Sequence, residues 1–299
     1  MTSASSVPLP RNFDAAYKKS RAILRHHGKS YYFSTCLFPR ELQRATSALY
    51  AFVRLPDEIV DSSPQNTPEE IAATRGRLLD FLATWKRAYE TGNSGDDVLD
   101  FAASVFHEKN VPFEYSEDFL RAMIQDTHQM RYENYADLEG YMYGSASCVG
   151  LMMSHIIGFS DAVALKYATQ LGNAMQLTNF LRDIDEDYQL RGRVYLPQDE
   201  MERFGISDAT VAARDFSPQF EKFMAFQIER AHNLYEESNR GIALLNPEGR
   251  FAVAMASTLY RAILDKLDAQ NKNPFAKRAA TNFGEKLVLM GKARKLSRQ

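Results

Sequence analysis

The sequence predicts a single all-α domain. From Phe113 to Leu196 there is no proline, and apolar residues recur at intervals of three and four, as they do on one face of a helix. No run of alternating apolar and polar residues, and no Asn-Gly or Asp-Gly hairpin between apolar runs, predicts a strand. A chain of 299 residues allows one large domain or two small ones. Because no composition break marks a linker, we expect one domain over 11–299.

Helix-start signals place the elements along the chain. Thr67-Pro68-Glu69-Glu70 has the pattern of a capping box with proline in the first turn. Ser217-Pro218 and Asn246-Pro247 repeat the pattern of a cap followed by proline. Residues 1–10, which are small and polar, are interpreted as a disordered lead-in. The predicted helices cover 11–28, 40–62, 68–92, 96–109, 116–133, 137–158, 161–190, 218–245, 248–271 and 276–296.

Composition excludes several classes of protein. The 36 Lys and Arg residues against 38 Asp and Glu argue against a nucleic-acid binder, whose domain is usually strongly basic. Two cysteines, Cys36 and Cys148, are too few for a disulfide framework and favour a reducing compartment. The most apolar stretch, 148–159, is shorter than the roughly 20 residues that span a membrane, and no signal-peptide pattern opens the chain. We expect a soluble, cytoplasmic protein.

Two predicted helices carry a polar edge on an otherwise apolar surface. On the first, Asp57 and Asp61 are four residues apart and lie on one face with Tyr50 and Arg54. The second repeats the design with spacings of three, four and four, in the set Gln176, Asn179, Asp183 and Asp187. Buried carboxylates are costly, and carboxylates at this spacing repel each other.

A divalent cation offsets both costs. Mg²⁺ takes oxygen ligands and is typically held by one or two carboxylates together with substrate phosphates. Arginine suits bidentate phosphate binding, and Arg54, Arg182, Arg191 and Arg193 lie around the two edges. For either edge alone, a solvated helix face is the alternative interpretation. An EF-hand is rejected, because Tyr188 and Val194 stand where its loop needs Gly and Glu.

The two acidic edges belong to a longer set of motifs. The segments of this set are Ser30–Ser34, Ala48–Arg54, Asp57–Asp61, Tyr141–Ala146, Val149–Gly150, Gln176–Asp183, Glu186–Asp187, Arg191–Pro197 and Leu259–Asp265. In these segments the chain resembles the squalene and phytoene synthases, the head-to-head prenyl transferases. The resemblance runs from about Ser30 to Asp268 and includes two separate acidic motifs in the family's order.

The resemblance implies an isoprenoid synthase helical bundle around a deep central cavity. Asp57, Asp61, Asp183 and Asp187, with Asn179, would hold Mg²⁺, or alternatively Mn²⁺, against substrate diphosphates. The positions that match diphosphate-binding residues are Ser30, Tyr50, Arg54, Gln176, Arg182, Arg193 and Tyr260. Tyr141 matches a catalytic position at the reacting ends. The aromatic residues proposed to shield cationic intermediates are Tyr32, Phe33, Phe52, Tyr141, Tyr143 and Phe180, with core packing as the alternative for each.

The expected activity is condensation of two geranylgeranyl diphosphates to phytoene through a cyclopropyl diphosphate, with release of pyrophosphate. No nucleotide-binding motif is present, so no NADPH is expected. Thr35 and Ser47 stand at positions where thirty-carbon relatives carry aromatic residues, so the resemblance implies a longer tunnel and favours the longer substrate. The alternatives are a dehydrosqualene, squalene or hydroxysqualene synthase that uses farnesyl diphosphate, and a non-catalytic relative that acts as a scaffold.

Two local features leave alternatives open. Pro56, one residue before the first aspartate, predicts either a kink or the start of a new helical segment. The basic C-terminal stretch, with Lys286, Lys292 and Arg294, is either a frayed solvated helix or a peripheral contact with an anionic membrane. We expect a monomer or a homodimer.

Overall fold

A computed structural model of the chain describes residues 12–63 and 67–298. These residues form α-helices and contain no strand, which confirms the all-α prediction; Phe159 and Leu245 make an isolated antiparallel bridge. The lead-in predicted for residues 1–10 lies outside the described residues.

The helices follow the chain in this order: α1 (Phe13–His27), α2 (Lys29–Thr35), α3 (Arg40–Asp61), α4 (Pro68–Thr91), α5 (Asp97–Glu108), α6 (Phe113–Gln125), α7 (Tyr135–Met142), α8 (Cys148–Ile157), α9 (Val163–Arg191), α10 (Gln198–Arg203), α11 (Asp208–Ala212), α12 (Pro218–Ser238), α13 (Pro247–Ala269) and α14 (Phe283–Leu296). A π-helical segment, Tyr143–Ser147, joins α7 to α8, and a 3₁₀ segment, Asn239–Leu244, follows α12.

Several predicted helix boundaries are wrong. The helix predicted over 116–133 ends at Gln125, because the residues that follow pair with a distant segment: Val194 N–H donates to Met130 O at 3.1 Å, and Gln198 N–H donates to Tyr132 O at 2.9 Å. The helix predicted from 276 begins at Phe283 instead, where Asn282 and Glu285 form a capping box. The sequence analysis also missed the short helices α2, α10 and α11.

The proline-associated helix starts differ in how they are capped. The capping box at Thr67 is present, and Ser217 Oγ accepts the Phe220 N–H, as predicted. Asn246 does not cap α13 with its side chain, because its Nδ2 donates to Ile157 O at 3.0 Å. Helix α3 continues through the buried Pro56 to Asp61, so the alternative in which Pro56 starts a new segment is wrong.

The two acidic helices pack against a common partner. Helix α8 packs against both α3 and α9, and α9 also packs against α12 and α13. Beneath α3 lies an aromatic core in which Phe52 contacts Trp85 at a ring distance of 4.3 Å and Phe106 at 5.7 Å. Phe52 therefore belongs to the packing of α3. In the part of the chain that the structure describes, no helix is long and apolar enough to cross a membrane.

Adjacent leucines on α4 offer a matched test of this packing. Leu78 is 1% exposed within the core, whereas Leu79 is 47% exposed. Leu78→Ala is expected to lower the free energy of unfolding by about 2–5 kcal/mol, because it removes buried methyl groups and leaves a cavity. Leu79→Ala is expected to change it by no more than about 0.5 kcal/mol. Urea unfolding measures both, and equal effects would contradict the packing described.

Candidate active site

A deep cavity of about 810 Å³ is lined by the predicted site residues. It runs along α9, since Ala164 and Asp187 both line it and are 23 residues apart on that helix, or about 35 Å at the rise of an α-helix. Every residue predicted for the site lines this cavity: Ser30, Tyr50, Arg54, Asp57, Asp61, Tyr141, Gln176, Asn179, Arg182, Asp183, Asp187, Arg193 and Tyr260.

The carboxylates of α3 are held by an arginine of the same helix. Arg54 forms ion pairs with Asp57, three residues on, and with Glu58, four residues on. Its Nη1 also lies 3.6 Å from Asp61 Oδ2. The helical repeat places these side chains together, so the contact follows directly from the sequence spacing.

Arg191 links the two acidic helices across the cavity. Its Nη2 lies 3.1 Å from Asp61 Oδ1 on α3, and its Nη1 lies 3.5 Å from Asp187 Oδ1 on α9. Because one guanidinium reaches both carboxylates, the two acidic edges face the same space. This is the arrangement that the resemblance implies.

Asp183 is held by two arginines, one of which the sequence analysis missed. Arg182 Nε donates to Asp183 Oδ1 at 2.8 Å, and Arg278 Nε donates to the same atom at 2.8 Å. Arg278 also lies 3.3 Å from Glu186. It was missed because 276–296 was predicted to be one helix, and nothing in the sequence places the start of that segment beside α9.

Burial and mutual repulsion change the acidity of these carboxyls. Burial, followed by the nearby charge of Asp61, raises the pKa of Asp57 to about 6. Burial, followed by the charge of Asp183, raises the pKa of Asp187 to about 7. At Asp183 burial acts in the same direction, but the hydrogen bonds and charges of Arg182 and Arg278 outweigh it and lower the pKa.

The donor set fits a hard divalent cation. Carboxylate oxygens of α3 and α9 and the amide of Asn179 line one space, and oxygen ligands of this kind are what a hard divalent cation takes. Burial, followed by the charge of a neighbouring aspartate, raises the pKa of Asp57 and of Asp187, so a cation placed there would favour their ionised forms. Among residues 12–63 and 67–298, no three His, Cys, Asp or Glu residues already form a metal-binding cluster. The arginines hold the carboxylates instead. The assignment of metal ligands stays a prediction.

An aromatic wall closes the cavity beside the acidic edges. The rings of Phe180 and Tyr195 stack at 4.1 Å, and Tyr141 stacks on Tyr195 at 5.6 Å. Among the residues proposed to shield a cation, Tyr141 and Phe180 line the cavity, whereas Phe52 lies in the core. Tyr143 is 39% exposed.

Smaller features of the wall set its shape. Gly28, between α1 and α2, lies so close to Tyr50 that a Cβ there would be 2.7 Å from the Tyr50 hydroxyl oxygen. Thr35 lines the cavity, as the prediction on substrate length requires. Ser47 is buried, and its hydroxyl donates to Gln43 O at 2.7 Å within α3, so it is not part of the cavity lining.

Comparison with known proteins identifies the family. The model of the family described as squalene/phytoene synthase matches residues 24–285. A chloroplastic phytoene synthase of an Oncidium hybrid cultivar is 36% identical over 281 residues, which cover 91% of this chain and 66% of the relative. A 15-cis-phytoene synthase of Synechocystis sp. is 33% identical over 292 residues, which cover 93% of this chain and 84% of the relative. The chain belongs to the squalene/phytoene synthase family.

The fold agrees with this assignment. A crystal structure of a dehydrosqualene synthase in complex with a ligand superposes with a TM-score of 0.84 at 28% identity. The match covers 96% of this chain and 98% of that one. The chain thus spans about two thirds of the Oncidium relative but nearly the whole of this structural neighbour.

The raised pKa of Asp187 predicts that Asp187→Asn and the wild-type protein differ in stability by an amount that depends on pH. A carboxyl whose pKa is raised from 3.8 to about 7 on folding destabilises the folded state above that folded-state pKa. The penalty fades as the pH falls from the folded-state value toward 3.8. Without metal, Asp187→Asn should therefore unfold at a higher temperature than wild type at about pH 8, and this advantage should shrink toward about pH 5.

Thermal unfolding of the metal-free proteins at both pH values measures the difference. Asp185→Asn is the matched control, because Asp185 lies on the same helix but pairs with Arg214 on the exposed side, at 2.7 Å. An Asp187→Asn protein that is no more stable than wild type at about pH 8 would contradict the electrostatic account of the site.

Proposed function

We propose that the chain condenses two geranylgeranyl diphosphates to phytoene through a cyclopropyl diphosphate, with release of pyrophosphate. The observation that carries the proposal is the one cavity in which two acidic helix edges meet a long apolar wall, in a chain whose phytoene synthase relatives are similar over most of its length.

The acidic edges would hold the metal that such a reaction needs. Asp57 and Asp61 on one side, and Asn179, Asp183 and Asp187 on the other, present only oxygen and amide groups. When bound there, Mg²⁺, or Mn²⁺ in its place, would neutralise the charge on a departing pyrophosphate.

Arginines beside these edges would bind the diphosphate. Arg54, Arg182 and Arg278 line the cavity and now pair with carboxylates. Their planar guanidinium groups can bind phosphate oxygens in a bidentate way. The other residues predicted to bind the diphosphate are Ser30, Tyr50, Gln176, Arg193 and Tyr260.

The apolar wall would protect the cationic intermediates. The aromatic faces of Tyr141 and Phe180 exclude water and attract positive charge. No protein nucleophile is required, since the double bond of the second substrate attacks the allylic cation. The final cation loses a proton, so we expect turnover without NADPH.

A dehydrosqualene synthase is the second candidate, because a structure of that class superposes on nearly the whole chain. It would use the same site with two farnesyl diphosphates.

Incubation with geranylgeranyl diphosphate and Mg²⁺, without NADPH, tests the proposal. Extraction is expected to yield a forty-carbon product with the triene absorbance of phytoene, and removal of metal by EDTA should abolish it. A wild-type chain that turns over farnesyl diphosphate alone would favour the second candidate. A chain that releases pyrophosphate from neither substrate would favour the non-catalytic alternative.

A pair of aspartates on α9 provides the matched variants. Asp183→Asn should lower turnover by at least about 10²-fold, because it removes a carboxylate at the site where charge develops. Asp185→Asn should leave turnover within about 2-fold of wild type, since Asp185 pairs with the exposed Arg214. Equal losses would contradict the assignment of Asp183 to the site.

We also propose peripheral contact with an anionic membrane through α14. Phe283, Leu287 and Val288 are exposed large apolar residues at the start of this helix, and Val288 is 74% exposed. Lys286, beside them, lines the cavity, so the apolar patch adjoins the cavity wall. The helix also carries Lys292, Arg294 and Lys295, which suit anionic headgroups.

Sedimentation with phosphatidylserine-containing vesicles tests the contact. Val288→Glu should lower the bound fraction several-fold, because it places a charge in the apolar patch, while Leu79→Glu on the distant α4 should not. Equal binding by both variants, or binding to neutral vesicles alone, would contradict the proposal.

A further inference from the structure

A buried carboxylate that the sequence analysis did not single out lies in the wall of the cavity. Asp126, at the end of α6, is 5% exposed and lines the cavity beside Tyr141 and Tyr195. The Tyr141 hydroxyl donates to Asp126 Oδ2 at 2.6 Å, and the Tyr195 hydroxyl donates to Oδ1 at 3.4 Å. A carboxylate this deeply buried needs such partners to offset its desolvation.

The same residue also holds Arg193. Arg193 Nη2 donates to the backbone carbonyl of Asp126 at 2.7 Å, and Nη1 lies 3.9 Å from its carboxylate. Arg193 Nη1 donates in turn to the Tyr195 hydroxyl at 3.1 Å. Asp126 therefore connects α6 with the segment after α9. Burial raises the pKa of its carboxyl, and the charge of Arg193 and the hydrogen bonds from Tyr141 and Tyr195 oppose that rise.

The direction of the Tyr141 hydrogen bond limits what Tyr141 can do. A tyrosine hydroxyl carries one proton and accepts through its oxygen lone pairs. The Tyr141 hydroxyl already donates its one proton to Asp126. Any other group near the Tyr141 oxygen therefore faces its lone pairs and cannot accept a hydrogen bond from it. The oxygen is thus arranged to face positive charge and not a phosphate oxygen.

We infer that Asp126 is a positioning residue for the reaction, which acts by keeping the Tyr141 hydroxyl oxygen as an acceptor toward cationic intermediates in the cavity. The inference rests on the proposed function, because that reaction develops positive charge on carbon after the diphosphate leaves. A dipole fixed in advance toward developing charge stabilises a transition state without reorganisation.

A structural role alone would give a different pattern of effects. If Asp126 only ties α6 to Arg193, its loss would lower stability, and its effect on turnover would not depend on the Tyr141 hydroxyl. If it acts through Tyr141, removing the hydroxyl should remove most of the effect of Asp126 on kcat. The coupling between the two residues separates these cases.

The experiment is a double-mutant cycle with Asp126→Asn and Tyr141→Phe in the full chain. Pyrophosphate release is measured with Mg²⁺ and whichever of geranylgeranyl and farnesyl diphosphate the wild type turns over. Each single variant is expected to lower kcat by about 10–100-fold, the range typical of residues that orient an active group. KM should stay within about 2-fold, since the loss falls on the transition state. The double variant should be no more than about 3-fold slower than Tyr141→Phe.

Asp100→Asn is the matched control. Asp100 is also a buried aspartate, but its carboxylate accepts from Ser94 N–H and Oγ at 2.7 and 2.6 Å, and it is not part of the cavity wall. It should lower the unfolding midpoint without lowering kcat. If Asp126→Asn fails to fold, Asp126→Glu replaces it in the cycle, because it keeps a negative charge near Arg193 but moves the carboxylate relative to the Tyr141 hydroxyl.

The outcomes distinguish the two proposals. Three results with an active wild type would overturn the role of Asp126. The first is a loss of kcat in the double variant that equals the product of the two single losses. The others are a rise in KM alone and a wild-type kcat in Tyr141→Phe. A wild type that releases pyrophosphate from neither substrate would overturn the proposed function, and the role of Asp126 with it.

Discussion

The rest of the site depends on one constraint, which is that the negative charge of the carboxylates inside the cavity must be neutralised. Aspartates from α3 and α9 line a region that burial makes poor at solvating charge. This burial, and after it the repulsion from Asp61 and Asp183 on the same helices, raises the pKa of Asp57 and Asp187. Arginines offset this charge. Arg191 contacts carboxylates of both helices and so bridges the gap between them. Since arginine stays charged and binds oxygens in pairs, it can pass from a carboxylate to a phosphate without changing its own state.

What the sequence could predict follows from the regularity of helices. Within α3 and α9 the spacing alone fixes which side chains share a face, so Asp57 could be grouped with Asp61, and Asp183 with Asp187, from the sequence. All four line the cavity, and their assignment as metal ligands stays a prediction. Asp126 and Arg278 were missed for the opposite reason. Asp126 lies at the end of α6, and Arg278 lies in the connection between α13 and α14. The position of each depends on pairing with a segment far along the chain, for which one sequence carries no periodic signal.

The segment between α7 and α8 also has a local structure that the sequence alone does not predict. The sequence predicts one helix over 137–158, and the chain is helical there, but Tyr143–Ser147 widens into a π-helix. Gly144 packs so tightly against α6 that a Cβ would lie 2.7 Å from the Ala122 Cβ. That close approach brings α6, and with it Asp126, against the wall that carries Tyr141. A π-helical segment of this kind is frequent at functional sites. Here it accompanies close packing against α6, which the sequence of the segment itself does not indicate.

The shape of the cavity itself restricts the class of substrate. Its charged end is formed by the C-terminal half of α9, while residues such as Ala164, Ala168 and Leu171 on the N-terminal half line an apolar stretch. Leu171 and Asp183 are 12 residues apart on this helix, or about 18 Å at its rise per residue. A small anion would satisfy the arginines but leave the apolar stretch unfilled, and a neutral lipid would leave the charged end unpaired. A long apolar chain that ends in a diphosphate, as in the substrate proposed above, would contact the charged end and the apolar stretch at the same time.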